Sequence, residues 1–468
     1  MGDTAGTGLP ETGSSLPETV LLVGLGVTNT AAARALAARG HTVAITDDGD
    51  GAEAAAVAAE LRCEYQHRPD RVALGSLLRS SDAFMATPGL PESHPVFSLA
   101  DSLGIPGISE FDLAAAWDDR DLLAVTGTNG KTTVVSLVAS MLEHSGIRCA
   151  AVGNLEVPLV AAIDDPVPRC FVVEASSFRL AHSARFAPHV GTWLNFAADH
   201  LDVHRDLDSN RRAKARIWSG QGPGDISVFN AEDPVVSSEM VHTAGAGRRI
   251  SFALDPDAGG HEVDFHESHG RLCGPGGPLV ETAALWSRLP HDRRNVLAAA
   301  ATASFGGATP DGIRVGASEF RGLPHRVELV GEVDGILFYN DSKATTPHAT
   351  LAALVGFEHV VLIAGGRNKG IDLSVMGAAT NLRGVVGIGE AGPEVLDALG
   401  QVRGALAESM PDAVDVASSM AHRGDVVMLS PGCASFDWYG SYSERGDHFR
   451  TVVRDAMGRG ELGDDSNA

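Results

Sequence analysis

The sequence predicts an α/β protein of three domains, each built on a mostly parallel sheet with helices on both faces. Three observations carry this expectation. The chain has 468 residues, room for roughly two to four domains at ~100–200 residues each. Apolar strand-like runs alternate with helical patterns, which is the signature of parallel sheets covered on both sides. Most of those runs end in a glycine-rich or polar turn, the place where α/β proteins bind ligands.

The elements follow in order. Residues 1–18 are rich in Gly, Thr, Pro, Ser and Glu and read as a disordered tail. LPETG at 9–13 is similar to a sortase signal. It lacks the apolar stretch and basic tail such a signal requires, so it is read as coincidence. VLLVGLG (20–26) is a buried strand, TAAARALAARG (30–40) a helix with a glycine stop, and HTVAITDD (41–48) the next strand. A second region starts at LLAVTG (122–127), continues through a helix from Thr132, and adds strands CFVVEAS (170–176) and GTWLNF (191–196). Gly/Pro-rich stretches at 220–224, 256–260 and 274–278 mark loops. A third region follows GLPHR (322–326), with strands ILFYND (336–341), VVLIAGG (360–366), VVGIG (385–389) and DVVMLSPG (425–432). The expected domains are therefore 19–110, 111–322 and 323–468.

Composition narrows the partners. The net charge is −24, which removes general attraction to a phosphate backbone, so no nucleic acid is expected. No apolar run reaches the ~18 residues a membrane span needs, and no basic-then-apolar leader opens the chain. A cytoplasmic protein without a membrane partner is expected. The five cysteines are scattered and form no CxxC pair, so they read as free thiols. Of 36 basic residues only Lys131, Lys214, Lys343 and Lys369 are lysines. In so arginine-biased a chain, these four mark places that need a compact ammonium or a reactive amine.

The motifs sit where the strands end. Gly24, Gly26 and Thr28 open a helix after a strand, a turn that lets backbone approach a diphosphate; Asn29 replaces the third glycine of a dinucleotide fingerprint. Asp47 and Asp48 end the next strand, where an acid could hold a ribose. A turn that serves packing alone is the alternative. Gly127, Thr128, Asn129, Gly130, Lys131, Thr132 and Thr133 form a phosphate loop, with Val125 in place of its usual first glycine. Glu174 ends an apolar strand, well placed for Mg²⁺. Asn195 and the run Asp199-His200-Leu201-Asp202 follow another strand and could serve metal and phosphate, or cap a loop. Lys214, in NRRAKARIW, reads on spacing alone as part of a solvated basic helix face. A lysine amine can also take up CO₂ as a carbamate and become a metal ligand, which arginine does poorly. His325-Arg326, NDSKAT (340–345), GGRNKG (365–370) and SPGCASFD (430–437) gather the remaining polar residues after strands.

Together GTNGKTT, Glu174, DHLD, Lys214, His325-Arg326, NDSKAT, GGRNKG and SPGCASFD resemble the Mur ligases of peptidoglycan synthesis, over about residues 20–450. The NDSKAT to SPGCASFD series is most similar to the branch that adds D-glutamate to UDP-N-acetylmuramoyl-L-alanine. The resemblance implies a Rossmann-like N-terminal domain, a P-loop ATPase-like central domain and a Rossmann-like C-terminal domain. It implies that the first holds the UDP part of the acceptor through Gly24, Gly26, Thr28, Asp47 and Asp48. The central domain would bind ATP through residues 127–133, with Asn295, Arg326 and Asp341 completing that site. Two Mg²⁺ ions are implied, one on Thr132 and Glu174, the other on His200 and a carbamylated Lys214. Asn154 and Ser176 would meet the acceptor; Thr345, Lys369, Ser435, Phe436 and Tyr442 would hold glutamate. Lys131, Arg326 and Lys343 would neutralise phosphate charge in catalysis, and His200 is the candidate base. A monomer acting on small molecules is implied.

Some positions depart from the family pattern: Asp48 stands for a small hydroxyl, Arg179 for a glutamine, Val203-His204 for a more polar or aromatic pair, and Tyr442 for phenylalanine. They leave an L-glutamate-adding variant open. A folylpolyglutamate synthetase-like ligase is opposed by residues 20–110, which have no place in it. A Rossmann oxidoreductase is opposed by the incomplete fingerprint, and a silent nucleotide-sensing paralogue by Lys214, Glu174 and His200.

Overall fold

The computed structural model describes residues 16–49, 51–197, 203–243, 245–260, 262–368 and 370–463. They fall into two compact units, divided between Phe320 and Arg321.

The first unit carries two parallel sheets. One is four-stranded in the order β3-β2-β1-β4, from β1 (Thr19–Val23), β2 (Thr42–Asp47), β3 (Glu64–His67) and β4 (Ala83–Ala86). Side chains alternate along β1. Val20 and Leu22 pack with Ala32, Leu36 and Val57 on one face; Leu21 and Val23 pack with Leu74, Leu78 and Val96 on the other. Both faces are covered by helices, so the strand reads as continuously apolar. Leu16, Pro17 and Glu18 do not belong to a tail. Leu16 packs on the first of these cores, and Glu18 O accepts Thr42 N–H at 2.8 Å. The remaining tail residues and the C-terminal 464–468 lie outside the described residues.

The other sheet of this unit is six-stranded, in the order β10-β9-β8-β5-β7-β6 and parallel throughout. Its strands are β5 (Asp121–Thr126), β6 (Cys149–Gly153), β7 (Cys170–Glu174), β8 (Val190–Trp193), β9 (Ile226–Asn230) and β10 (Arg248–Phe252). Leu123, Val125 and Val172 meet helices Lys131–Glu143 and Pro290–Phe305. Leu122, Ala124, Phe171 and Trp193 meet Ile217 and Trp218 on the opposite face. A small antiparallel sheet, β11 (His266–Ser268), β12 (Arg271–Gly274) and β13 (Gly277–Glu281), adds Leu272 and Val280 to the first of these cores. The stretch 274–278, expected as a loop, is therefore the end of a β-hairpin.

The second unit is one six-stranded sheet, β14-β15-β19-β16-β17-β18. It comprises β14 (Glu328–Val333), β15 (Ile336–Asn340), β16 (Val360–Gly365), β17 (Leu382–Ile388), β18 (Gly404–Leu406) and β19 (Val426–Gly432). Only β14 runs antiparallel. Ile363, Val386 and Leu429 face helices Met410–Met420 and Tyr442–Gly463, while Leu362, Val385 and Met428 face Leu354, Val395 and Leu399. The α/β class with three principal sheets is the observed one.

Candidate active site

In the central sheet, the C-terminal ends of β5, β6 and β7 converge on one polar cluster. Gly127 (φ +152°) and Gly130 (φ +85°) shape the loop after β5. A Cβ on Gly130 would lie 2.6 Å from Asn295 Oδ1, so the residue must be glycine and Asn295 stands against the loop. Asn195, just past β8, braces it. Its Oδ1 accepts the N–H groups of Thr128 and Asn129 at 3.0 and 2.9 Å, and its Nδ2 donates to Asn129 O at 3.1 Å. Lys131 Nζ donates to Gly127 O at 2.7 Å and Thr128 O at 2.8 Å.

Beside it, Thr132 Oγ1 donates to Glu174 Oε2 at 2.7 Å, and Asn154 Nδ2 donates to Glu174 Oε1 at 2.9 Å. Glu174 is buried, and a carboxylate there with a hydroxyl beside it is a hard-oxygen set that suits Mg²⁺. Two residues on, the buried Ser176 hydroxyl has no hydrogen-bond partner among the described residues, as a group awaiting a ligand would. Thr133 is buried in the first turn of its helix. Lys214 corrects the solvated-face reading. It lies in helix Leu207–Ser219, is 1% exposed, and its Nζ donates to Gly127 O at 3.1 Å. Its neighbours Arg211 and Arg212 pair with Asp208 instead. His200, with Asp199, Leu201 and Asp202, lies outside the described residues.

The β1 turn is built differently from expectation. Asp47 places Oδ2 on Leu25 N–H and Oδ1 on Gly49 N–H, both at 2.7 Å. It shapes two turns rather than standing ready for a ribose. Asn29, fully buried in the third-glycine position, donates to Gly24 O at 2.7 Å and Met85 O at 3.2 Å. Thr28 is buried too, and its hydroxyl accepts from Arg179 Nη2 at 2.8 Å. It is engaged within the chain rather than open to a ligand. Arg179 also forms a buried ion pair with Glu110. Burial raises the Glu110 carboxyl above the usual range in spite of that guanidinium. Gly24 (φ +78°) packs on Thr87, whose Cγ2 would be 2.5 Å from a Cβ. Over the turn opens a cleft of about 150 Å³, lined by Gly24, Thr46, Asp48, Arg71, Leu90 and His94 among others. Asp48 Oδ2 pairs with His94 Nε2 at 2.9 Å. Arg71 and His94 have no motif around them, and nothing in the sequence singles them out.

Another unanticipated group lies near Ser176. Glu92 Oε1 is 2.8 Å from His204 Nδ1, and His204 Nε2 is 2.8 Å from Ser177 Oγ. Partial burial pushes the Glu92 carboxyl up, but the His204 ring and Arg205 N–H outweigh it and hold it below the usual range.

In the second unit, the ends of β15, β16, β17 and β19 form the corresponding edge. Asp341 is buried, with Oδ1 on Val327 N–H at 3.2 Å and Oδ2 taking the Ser430 hydroxyl at 2.7 Å. Here it braces two loop ends. Lys343 Nζ lies 3.9 Å from the Tyr442 ring centroid. Gly366 (φ +126°) lets Arg367 N–H reach Ala434 O at 2.8 Å, joining the two glycine loops. Ser435 is buried and Phe436 exposed, while Arg326 and Thr345 are half-buried; Lys369 lies outside the described residues. Arg445, which no motif marked, is 1% exposed. Its guanidinium donates to Ser342 O at 2.9 Å and to Cys433 O and Ala434 O at 3.2 and 3.3 Å. It pins NDSKAT to SPGCASFD.

Residues 125–303 match the family model of the Mur ligase middle domain, and residues 325–433 match that of the Mur ligase glutamate ligase domain. The chain is 40% identical over 455 residues to a UDP-N-acetylmuramoylalanine–D-glutamate ligase of Frankia casuarinae, covering 93% of each. It is 36% identical to the ligase of the same name from Thermobifida fusca, over 94% of this chain and 98% of that one. Its fold is similar to that of a pseudomurein peptide ligase type C from Methanothermus fervidus (TM-score 0.56, 17% identity, 94% and 99% covered). It is also similar to UDP-N-acetylmuramate-alanine ligase from Thermotoga maritima (TM-score 0.54, 20% identity, 94% and 99% covered).

Proposed function

The chain belongs to the Mur ligase family, and from that premise we propose that it joins D-glutamate to UDP-N-acetylmuramoyl-L-alanine at the expense of ATP. The observation that carries this is the cluster of Lys131, Thr132, Asn154, Glu174 and Lys214 at the ends of parallel strands around the phosphate loop. The alanyl carboxylate attacks the γ-phosphorus of ATP, giving an acyl phosphate and ADP. The glutamate amine then attacks the acyl carbon, and the tetrahedral intermediate expels phosphate.

Both partners of the first step are anions, so positive charge must be fixed in advance. Lys131, at the N-terminus of its helix, supplies it to the phosphates, with Arg326 and Lys343 on the transferring group. Asn295 serves the adenosine side, and Asp341, which braces the loop ends of its own sheet, is assigned to the same nucleotide. Thr132 and Glu174 would hold one Mg²⁺, and His200 with a carbamylated Lys214 a second; bound there, Mg²⁺ neutralises phosphate oxygens. The position of the buried Lys214 side chain, with Nζ 3.1 Å from Gly127 O, supports this ligand role, and a lysine amine can form a carbamate where a guanidinium does so poorly. Asn154 and Ser176 contact the acceptor, whose UDP part lies in the Gly24–Asp48 cleft. Thr345, Lys369, Ser435, Phe436 and Tyr442 hold glutamate, whose ammonium must lose a proton before the amine attacks.

In this reading 19–110, 111–322 and 323–468 serve acceptor, ATP and glutamate in turn, in a cytoplasmic monomer. No helix among the described residues is long and apolar enough to cross a membrane. Phosphate release from ATP, with the acceptor and D- or L-glutamate in parallel, tests the assignment. Release with D-glutamate alone is expected. Release with L-glutamate alone would move the specificity to the pocket around Ser435 and Tyr442, and release with neither would overturn the assignment.

A further inference from the structure

The segment 90–95 faces two ways. Leu90, His94 and Pro95 line the cleft over the Gly24 turn. Between them, Glu92 reaches residues 203–205, just ahead of helix Leu207–Ser219. Its backbone N–H donates to Val203 O at 2.9 Å, its Oε2 accepts Arg205 N–H at 3.0 Å, and its Oε1 lies 2.8 Å from His204 Nδ1. A carboxylate only accepts, so Nδ1 carries the hydrogen and the opposite nitrogen, Nε2, meets the Ser177 hydroxyl at 2.8 Å. The imidazole is 2% exposed and stacks on Phe178 with centroids 5.4 Å apart. Ser177 follows directly on Ser176, with its orphaned hydroxyl, and stands three residues past Glu174. Serine, histidine and glutamate in this order have the geometry of a nucleophile and its base. Yet Ser177 is 1% exposed, which leaves no room for an electrophile at its oxygen. The arrangement holds; it does not react.

We propose that Glu92, His204 and Ser177 are positioning residues for the ligation, a relay that couples the acceptor's nucleotide in the cleft to the strand end bearing Glu174 and Ser176. This rests on the reading that the cleft takes that nucleotide. A ligand that moves Leu90 and His94 moves Glu92 with them, and the rigid ring transmits the shift to Ser177. Nucleotide binding thereby orients the groups that meet the other end of the acceptor, and misplacement there costs rate rather than fold.

The test uses the full chain with Glu92→Gln, His204→Phe, which keeps the stack on Phe178, and the double variant. Initial rates are measured against acceptor and, separately, ATP. The relay requires kcat/KM for the acceptor to fall ~10- to 100-fold while KM for ATP stays within about twofold. It also requires the double variant to be no worse than the worse single one, because both cut one chain. Acceptor kcat/KM within about twofold of wild type in folded Glu92→Gln, or effects that multiply in the double variant, would overturn it. A purely structural role would lower Tm and leave the kinetic split unmoved. Should His204→Phe not fold, Glu92→Gln decides alone. If the wild type ligates nothing, the proposed function fails separately, and titration with UDP reads the relay. Weaker UDP binding in Glu92→Gln supports it, and equal binding overturns it.

Discussion

Arg179→Gln restores the residue that the family pattern carries after Ser-Ser-Phe, and here it is expected to be costly. Arg179 and Glu110 are 6% and 1% exposed at their side chains and form an ion pair. Glutamine cannot neutralise Glu110, which would keep the Val160 N–H at 3.0 Å but lose its only buried counter-charge among the described residues. Breaking a buried pair from one side costs about 3–5 kcal/mol. Glu110 has one escape, which is to bind a proton. Burial already raises its pKa, and an acid with a raised folded pKa loses stability as pH rises from the ordinary carboxylate range through that pKa. The loss in Arg179→Gln is therefore largest near pH 8 and smaller near pH 5. Glu110→Gln/Arg179→Gln removes both charges and should return to within about 1–2 kcal/mol of wild type. Urea unfolding of the full chain, followed by the fluorescence of the buried Trp193 and Trp218 in the neighbouring core, measures all three. A loss below about 1 kcal/mol in Arg179→Gln, or a double variant weaker than that single one, would show that the pair does not hold these layers.

Further outcomes follow from the geometry. Gly130→Ala forces a Cβ to 2.6 Å from Asn295 Oδ1 at φ +85°, so kcat/KM for ATP should fall ~100-fold; unchanged ATP kinetics would contradict the loop's role. Lys214→Arg puts a guanidinium where the side chain is 1% exposed, and kcat should fall ~10- to 100-fold or more in folded protein, with no recovery in bicarbonate. His182 stacks on Phe97 at 5.0 Å, and burial, with Arg216 second, lowers its pKa to about 4. The unfolded ring takes a proton first, from ~6.5 downward, so about 2 kcal/mol is lost between pH 7.5 and pH 5. His182→Leu should lack that part of the slope, and parallel pH slopes for both proteins would argue against it.

What the sequence made legible was whatever local pattern carries. The apolar runs at 20–26, 122–127, 170–176 and 360–366 contain strands with both faces buried, so they show as continuous hydrophobic stretches, and glycines close three of them, at 20–26, 122–127 and 360–366. Strand Glu64–His67 is polar and lies at a sheet edge, and β11 to β13 are short and interrupted by glycines, so neither presents a period. The site was legible where a motif is contiguous, as from Gly127 to Thr133. It was not where two distant residues complete each other. Glu92 with His204, Glu110 with Arg179, and Arg445 with two loops are ordinary charged residues until the fold brings their partners. Lys214 was misleading on spacing because its helix is basic, yet its arginines face outward while it turns inward.

The most direct test of the central claim labels the alanyl carboxylate of the acceptor with ¹⁸O and analyses the phosphate released in ligation with D-glutamate. Passage through an acyl phosphate transfers one carboxylate oxygen to phosphate, so one ¹⁸O per phosphate is expected, with ADP and the amide formed in equal amounts. Phosphate free of ¹⁸O would mean that the carboxylate never attacks ATP, and the roles assigned to Lys131, Thr132 and Glu174 would fall with it.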